Sequence, residues 1–322
     1  MMQNRGGSLR DQASKLRDMV HRGGLKRRTE ESATGGRPVR RIAVTSGKGG
    51  VGKSNISLNL GLCFQRLHRR ALLVDADANL ANIDILLGIN PRWTLADVIL
   101  GGKFLGDILL DGPEGLRILP AGSGVVEMVG LDEVVADRTL RALADLERGL
   151  DVIILDTGAG ISEGVVELAS ASDEVIVVTT PEPTAITDAY AAIKVITARN
   201  VAVRLHLLVN FARSREEAEE VARKIKLVVE NYLSLSVESL GYLPQDAHLP
   251  QAVSRQTPLL QAFPRSPAAV ALMGIARRLL RMSERTPLGP PQARESGDGS
   301  PEGSFGASSL FRQLLPRSMK MA

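Results

Sequence analysis

The residues best suited to chemistry in this chain lie in one short run, GKGGVGKS at positions 47–54. Glycines let backbone N–H groups turn inward around phosphate oxygens, and a lysine followed by a hydroxyl suits a nucleoside triphosphate with magnesium. We expect Lys53 to reach the β- and γ-phosphates and Ser54 to bind Mg²⁺. The predicted nucleotide-binding residues of this run are Gly47, Lys48, Gly49, Gly50, Val51, Gly52, Lys53, Ser54 and Asn55.

The sequence on either side of the run is what a phosphate loop needs. An apolar stretch at 42–45 predicts a strand before it, and apolar residues from Ile56 to Leu62 recur at helical spacing after it. The same glycines also spell the G-x-G-x-x-G pattern of dinucleotide-binding folds, with acidic residues at 75 and 77 about twenty positions on. The lysine and serine at 53 and 54 favour the triphosphate over the dinucleotide.

Three carboxylates follow apolar strands and can complete the site. Asp75 ends one such strand and is followed by Asp77, while Asp156 ends another. A carboxylate delivered beside a phosphate loop holds magnesium directly or through water. We therefore predict Ser54, Asp75 and Asp156 at the metal. Asp77 is predicted to orient the attacking water as a general base.

The elements that must position these residues alternate along the chain. The segments predicted as strands are 41–46, 71–75, 116–120, 151–156, 174–180, 203–210 and 237–243, and helical patterns such as 186–199 and 214–230 separate several of them. This alternation predicts an α/β fold with a doubly wound, mostly parallel sheet of about seven or eight strands and helices on both faces. Ligands bind at the carboxyl ends of such strands, where the phosphate loop and the three acids would meet.

Composition narrows the class of protein. Apolar residues make up 44% of the 322 residues and a single cysteine, Cys63, excludes an internal disulfide. Residues 1–40 carry a net charge of +6 and residues 281–322 carry +2, which leaves −4 for residues 41–280. An acidic body argues against broad nucleic-acid binding, and basic ends suit an anionic membrane surface or a protein partner. With no signal peptide or membrane-spanning run, we expect a cytoplasmic protein.

The chain divides into four predicted parts. They are an N-terminal helix with a basic segment at 1–40, a phosphate-loop domain at 41–282, a linker rich in Pro, Gly and Ser at 283–308, and an amphipathic tail at 309–322. In the tail, Leu310, Phe311, Leu314 and Leu315 share one helical face, as in helices that lie on membranes. Pro316 interrupts the pattern after about two turns. We expect reversible binding to the inner face of the cell membrane.

Three segments resemble the MinD/ParA family of ATPases. SGKGGVGKS (46–54) is similar to that family's deviant phosphate loop, VDADANLANIDILLG (74–88) to its switch I and LDTGAGI (155–161) to its Walker B and switch II. The resemblance implies slow, magnesium-dependent hydrolysis of ATP to ADP in a homodimer, where Lys48 reaches the partner's ATP. A second cation there would spread transition-state charge as an arginine finger does. Lys48, Lys53 and Asp77 are thus the predicted catalytic residues.

The same resemblance extends to the base. Asn210 matches the asparagine that these ATPases place on adenine, and its amide offers the donor and the acceptor that adenine needs. Asp246, in the segment Pro244–Asp246, is implied to close the pocket.

Within the superfamily, the chain is similar to the FlhG (YlxH/FleN) family of regulators of flagellar number and placement. The similarity lies in GKGGVGKSNISLNL (47–60), TTPEPTAITDAYAAIK (179–194) and DQASKLR (11–17). It implies that the N-terminal element stimulates FlhF, a signal-recognition-type GTPase, with flagellar C-ring components as further partners. The implied contact residues are Asp11, Gln12, Ala13, Leu16 and Arg17. The residues themselves predict a short amphipathic helix that orders mainly against a partner.

Other functions remain as alternatives. Division-site selection of the MinD type and partitioning of the ParA type use the same loop. The N-terminal signature argues against the first and the acidic body against the second. A nitrogenase-iron-protein-like reductase needs cluster-binding cysteines, and Cys63 lies on the wrong helix. A tyrosine autokinase is disfavoured because no tyrosine follows Tyr242.

Overall fold

The computed structural model describes residues 39–77, 82–100, 102–121 and 133–285. Its first strand begins at Arg40, one residue before the predicted start of the phosphate-loop domain, and its last helix ends at Arg285, three residues beyond the predicted end. The segments predicted to contact the GTPase and the membrane, 11–17 and 310–315, lie outside the described residues.

Eight strands form one sheet in the described part of the chain. They are β1 (Arg40–Ser46), β2 (Ala71–Ala76), β3 (Leu110–Asp111), β4 (Arg117–Pro120), β5 (Val152–Ala159), β6 (Glu174–Thr179), β7 (Arg204–Ala212) and β8 (Glu238–Pro244). The spatial order is β3-β4-β2-β5-β1-β6-β7-β8, and every neighbouring pair is parallel except β3 with β4. The predicted doubly wound, mostly parallel α/β sheet is confirmed.

Helices cover both faces of this sheet. They are α1 (Lys53–Arg66), α2 (Ile83–Leu87), α3 (Leu95–Ile99), α4 (Leu105–Ile108), α5 (Glu133–Glu147), α6 (Glu163–Ala171), α7 (Pro183–Arg199), α8 (Arg215–Leu233), α9 (His248–Ser254), α10 (Leu259–Ala262) and α11 (Pro267–Arg285), with a 3₁₀ turn at Pro113–Gly115. None of the helices in the described ranges is long and apolar enough to cross a bilayer.

The core consists of two apolar layers because side chains alternate along each strand. On β1, Ala43 faces the layer that holds the buried residues of α7 and α8, while its neighbours Ile42 and Val44 face the layer of α1 and α11. The central strands are therefore apolar on both faces, which is why they read as continuous Val, Ile and Leu runs in the sequence. Polar residues are found instead at the carboxyl ends of these strands.

Two strands end two or more residues beyond their predicted bounds. β5 continues three residues past Asp156 because Ala159 still pairs with Ser46 of β1, after a register shift. β7 continues two residues past Asn210 to Ala212, again across a register shift. Both register shifts lie beside the phosphate loop, where the strands end and the site residues follow.

Candidate nucleotide-binding site

The phosphate loop joins the end of β1 to the start of α1. Gly50 and Gly52 adopt φ of 78° and 91°, a left-handed conformation that strongly favours glycine. A Cβ on Gly52 would also come within 2.5 Å of Asn210 Nδ2. Gly52 is the N-cap of α1 and supplies no side-chain cap, so the first N–H groups of that helix remain available to an anion.

Lys53 and Asp156 form the buried centre of the site. Lys53 is 8% exposed, and Asp156 is fully buried on β5, where it pairs in register with Val44 of β1. Burial lowers the pKa of Lys53, and the charges of Asp156 and Asp77 partly oppose this effect. Burial raises the pKa of Asp156 to about 6, against hydrogen bonds from Ser54 and Ser57 and the charge of Lys53.

Ser57 contributes to the site although the phosphate-loop pattern ends before it. Its Oγ donates to Asp156 Oδ1 at 2.9 Å, and Ser57 itself is fully buried. Asp156 Oδ2 has no hydrogen-bond partner among the residues that the structure describes. Ser54 and Ser57 lie three positions apart on one face of α1, so helical spacing was the signal that could have identified Ser57.

Asp75 and Asp77 complete the acidic side of the site. Asp75 pairs in register with Asp156 on the neighbouring strand and accepts from the backbone N–H of Ile83 at 3.3 Å. Burial, and next the charge of Asp156, raises the pKa of Asp75 to about 7. Asp77 Oδ1 lies 3.3 Å from where a Cβ on Gly158 would stand, which places it against the segment that follows Asp156. The structure thus brings together the three acids that the sequence selected.

This donor set fits a magnesium ion that shares its ligands with phosphates. Among the described residues, no three His, Cys, Asp or Glu side chains are arranged so that they could bind a metal ion by themselves. Mg²⁺ commonly binds through one or two carboxylates together with substrate phosphates and water, so a protein cage is unnecessary. The unpaired Oδ2 of Asp156 and the adjacent Ser54 hydroxyl are the oxygens suited to that role.

Lys48 points along the surface of its own subunit. Its Nζ lies 2.6 Å from Glu182 Oε2 and 3.1 Å from Thr184 Oγ1, at the start of α7. Lys48 also lines a cavity of about 640 Å³, a size that suits a nucleotide or another small ligand. The other lining residues are Gly49, Gly50, Val51, Thr180, Pro181, Glu182, Pro183, Phe211, Arg213, Glu217 and Gln245.

Asn210 and Asp246 have contacts that the sequence did not indicate. Asn210 is 3% exposed, its Nδ2 donates to the carbonyl of Val51 at 2.8 Å, and its Oδ1 accepts from Phe211 N at 2.9 Å. It therefore braces the phosphate loop. Its contact with adenine stays a prediction.

Asp246 likewise serves the fold of its own region. Its Oδ1 accepts from the backbone N–H of His248 at 2.9 Å and its Oδ2 from that of Ala268 at 3.0 Å. Burial acts to raise the pKa of Asp246, and these hydrogen bonds outweigh it, so the pKa is lowered. The carboxylate fastens the starts of α9 and α11, and a role in closing the base pocket stays a prediction.

Comparison with known proteins agrees with this geometry. The family model described as the CobQ/CobB/MinD/ParA nucleotide binding domain matches residues 42–259. The chain is 44% identical over 242 residues to the antiactivator FleN of Pseudomonas aeruginosa, a match that spans 75% of this chain and 86% of FleN. It is 33% identical over 281 residues to the flagellum site-determining protein YlxH of Helicobacter pylori, spanning 85% and 89% of the two chains.

A solved structure gives the same fold. The septum site-determining protein MinD of Pyrococcus horikoshii, complexed with Mg-ADP, superimposes with a TM-score of 0.60 at 26% identity. The match covers 76% of this chain and 97% of that one.

Proposed function

Because this chain belongs to the CobQ/CobB/MinD/ParA family of nucleotide-binding proteins, we propose that it is an ATP-dependent dimerising switch that regulates flagellar number or placement. The observation that carries the proposal is the meeting of Lys53, Asp75, Asp77 and Asp156 at one phosphate loop, in a body 44% identical to FleN. The MinD- and ParA-type alternatives share the loop, and the similarity to FleN and YlxH favours the flagellar role.

The residues of one subunit would bind and orient ATP. The N–H groups of the loop and the start of α1 would hold the phosphates, and Lys53 would balance their charge. Ser54 and Asp156 would hold the magnesium that accompanies ATP, with Asp75 in its outer shell. Asp77, beside Lys53 and Asp156, would orient the attacking water. Lys48 of the partner subunit would stabilise the charge that develops on the phosphates.

The switch would act through the chain ends. In the ATP-bound dimer, two copies of the tail with Leu310, Phe311, Leu314 and Leu315 would bind a membrane together more tightly than one. The N-terminal element with Gln12 would contact the FlhF GTPase, and C-ring components would bind the assembled dimer. Hydrolysis would return the protein to monomers.

Dimerisation by ATP is the direct test of this function. Light scattering during gel filtration should find a dimer with ATP and Mg²⁺ and a monomer with ADP. Lys48→Ala should stay monomeric while it still binds ATP. Lys194→Ala, which removes an exposed lysine from α7, is the matched control and should behave like the wild type. A monomeric wild type, or a Lys48→Ala protein that dimerises normally, would refute the proposal.

The assigned base and the GTPase contact have their own tests. Asp77→Ala should accumulate the ATP dimer because water is no longer oriented, and normal turnover would show that another group does this.

Removal of residues 1–23, or Gln12→Ala, should abolish stimulation of FlhF GTP hydrolysis without changing ATP binding. Stimulation that survives both changes would place the partner contact elsewhere.

A further inference from the structure

A second cavity lies at the amino ends of β6, β7 and β8, whereas the phosphate loop follows the carboxyl end of β1. Its volume of about 430 Å³ is within the range of small-molecule sites. The polar wall contains Glu174, Arg204 and His206, and the apolar wall contains Leu235 and Met282. A ligand of this cavity would therefore meet both charged and apolar groups.

The polar wall is built on one buried carboxylate. Arg204 and His206 lie two residues apart on one face of β7. Each contacts a different oxygen of Glu174, Arg204 through Nη2 at 3.1 Å and His206 through Nε2 at 2.9 Å. Glu174 is 1% exposed and accepts three further hydrogen bonds from Arg40. The carboxylate thus holds Arg204 and His206 in position before any ligand binds.

One nitrogen of this wall lacks a partner. His206 is 2% exposed, and its Nδ1 makes no hydrogen bond to any residue that the structure describes. Burial acts to raise the pKa of Glu174, but His206 and the two arginines lower it to about 2, so the carboxylate accepts and Nε2 carries the hydrogen. In the neutral ring, Nδ1 is then an acceptor. A buried acceptor without a donor is unfavourable, and a ligand can supply that donor.

Arg204 gives the same wall a positive charge that a ligand can reach. Its side chain is 28% exposed, compared with 6% for Arg40. The ion pairs at the cavity join Arg40 and Arg204 to Glu174, and Arg278 to Glu238. These groups together carry one more positive than negative charge, which favours an anionic ligand group over an ammonium.

We propose that this cavity binds a small α-hydroxy acid with an apolar substituent. The carboxylate of the ligand pairs with Arg204, its hydroxyl donates to Nδ1 of His206, and its apolar part lies against Leu235 and Met282. Because Arg204 and His206 contact the same carboxylate, the two polar groups of the ligand must be close together. In an α-hydroxy acid they are on neighbouring carbon atoms.

Three probes that share a phenyl group separate the two polar contacts. Mandelate has the carboxylate and the hydroxyl, phenylacetate lacks the hydroxyl, and phenyl glycol has an alcohol in place of the carboxylate. Full-length protein is titrated with each probe by calorimetry, with and without saturating Mg-ADP. We expect mandelate to bind about three- to ten-fold more tightly than phenylacetate, the value of one net hydrogen bond, and to exceed phenyl glycol by at least as much.

Two valine substitutions test where mandelate binds. Val201 lines the cavity and is 70% exposed, so Val201→Trp should fill the cavity without disturbing the core and abolish mandelate binding. Val270→Trp, at a 59% exposed valine of α11, is the matched control and should bind mandelate like the wild type. His206→Phe keeps a ring but removes Nδ1, so it should bind mandelate and phenylacetate equally.

The outcomes that overturn the proposal are distinct. If the wild type does not bind mandelate, or binds it no more tightly than phenylacetate, water and not an α-hydroxy acid serves Nδ1. Unchanged binding to Val201→Trp would place the ligand outside the cavity. Binding that Mg-ADP abolishes would place it in the phosphate loop. If His206→Phe does not fold, the probe series and Val201→Trp still decide.

Discussion

Buried carboxylates lie towards both ends of the central strands, and their surroundings differ. Glu174, the first residue of β6, accepts three hydrogen bonds from Arg40 at 2.7, 2.8 and 2.9 Å, and its Oε2 lies 2.9 Å from His206 Nε2. Burial acts to raise the pKa of Glu174, but His206, Arg40 and Arg204 together lower it to about 2. In the second halves of β2 and β5, burial raises the pKa of Asp75 to about 7 and that of Asp156 to about 6.

The difference distinguishes a structural group from a binding group. Around Glu174 the protein supplies the balancing charge itself, through Arg40 and Arg204, and both carboxylate oxygens have partners, although Nδ1 of the neighbouring His206 has none among the described residues. Around Asp156 it supplies Lys53 and two serine hydroxyls, and one carboxylate oxygen still lacks a partner among the described residues. Positive charge is therefore scarce at the phosphate loop and abundant at the opposite end, as expected if a metal–nucleotide complex completes the site.

Removal of the charge on Glu174 should have the largest effect on stability. Glu174→Gln leaves Arg40 and Arg204 without their buried carboxylate, and such losses typically cost about 3–5 kcal/mol. Urea unfolding of the nucleotide-free protein at pH 7 measures this. Glu238→Gln breaks a half-exposed contact with Arg278 at 3.4 Å and should cost less than about 1 kcal/mol. Equal effects of the two substitutions would contradict the structural role of the cluster.

The same comparison predicts how stability depends on pH. The pKa of Glu174 is lowered from 4.5 in the unfolded chain to about 2 in the folded protein. Its ionised form thus stabilises the fold above about pH 4.5, and this contribution of about 3 kcal/mol is lost as pH falls towards 2. Urea unfolding at several pH values between 7 and 3 should show that the difference in free energy of unfolding between the wild type and Glu174→Gln decreases below about pH 4.5. A constant difference down to pH 3 would contradict the assigned cause.

At the phosphate loop, removal of the charge of Asp156 should lower the rate of ATP hydrolysis without lowering the stability of the fold. Asp156→Asn can still accept the Ser57 hydrogen bond, but it binds magnesium poorly, and ATP hydrolysis should fall about 100-fold, or about 2.7 kcal/mol. The free energy of unfolding without nucleotide should not decrease. Steady-state hydrolysis over a magnesium series and urea unfolding provide the two measurements, with the exposed Asp111→Asn as control. A destabilised Asp156→Asn protein with normal turnover would show that Asp156 stabilises the fold and does not bind magnesium.

Sequence patterns predicted the parts of the site that are continuous in the chain. Gly50 and Gly52 occupy left-handed positions of the loop, as a phosphate loop requires, and Asp75 and Asp156 lie on adjacent strands because parallel strands bring their ends together. The mostly parallel sheet followed from the apolar strands. The bounds of β5 and β7 were less predictable, since register shifts beside the loop determine where pairing stops.

Contacts between distant segments could not be predicted from the sequence. The partner of Lys48 within its own subunit lies 134 residues away, and it depends on how closely Gly47 approaches α7. Asn210 shows the same limit. Its amide chemistry predicts a contact with adenine, and nothing in the sequence indicated that the amide also holds the carbonyl of Val51. Residue type indicates what a side chain can bind, and the packing of distant elements decides which group it meets.

A prediction of opposite sign compares the two ends of the sheet most directly. Asp75→Asn removes a buried charge next to Asp156, whereas the two backbone N–H groups near Asp75, at 3.3 and 3.4 Å, make long hydrogen bonds that contribute little. Because the pKa of Asp75 is raised to about 7, its ionised form destabilises the fold at pH 8.

The free energy of unfolding of Asp75→Asn at pH 8 should therefore rise without nucleotide, by up to about 4 kcal/mol because the pKa of Asp75 is raised from 3.8 to about 7, a shift opposite in sign to that of Glu174→Gln. The gain should shrink at pH 5, where Asp75 is protonated in the folded wild type. Urea unfolding at the two pH values measures both. If Asp75→Asn destabilises the protein at pH 8, the carboxylate is a structural group like Glu174, and the contrast between the two ends of the sheet does not mark the binding site.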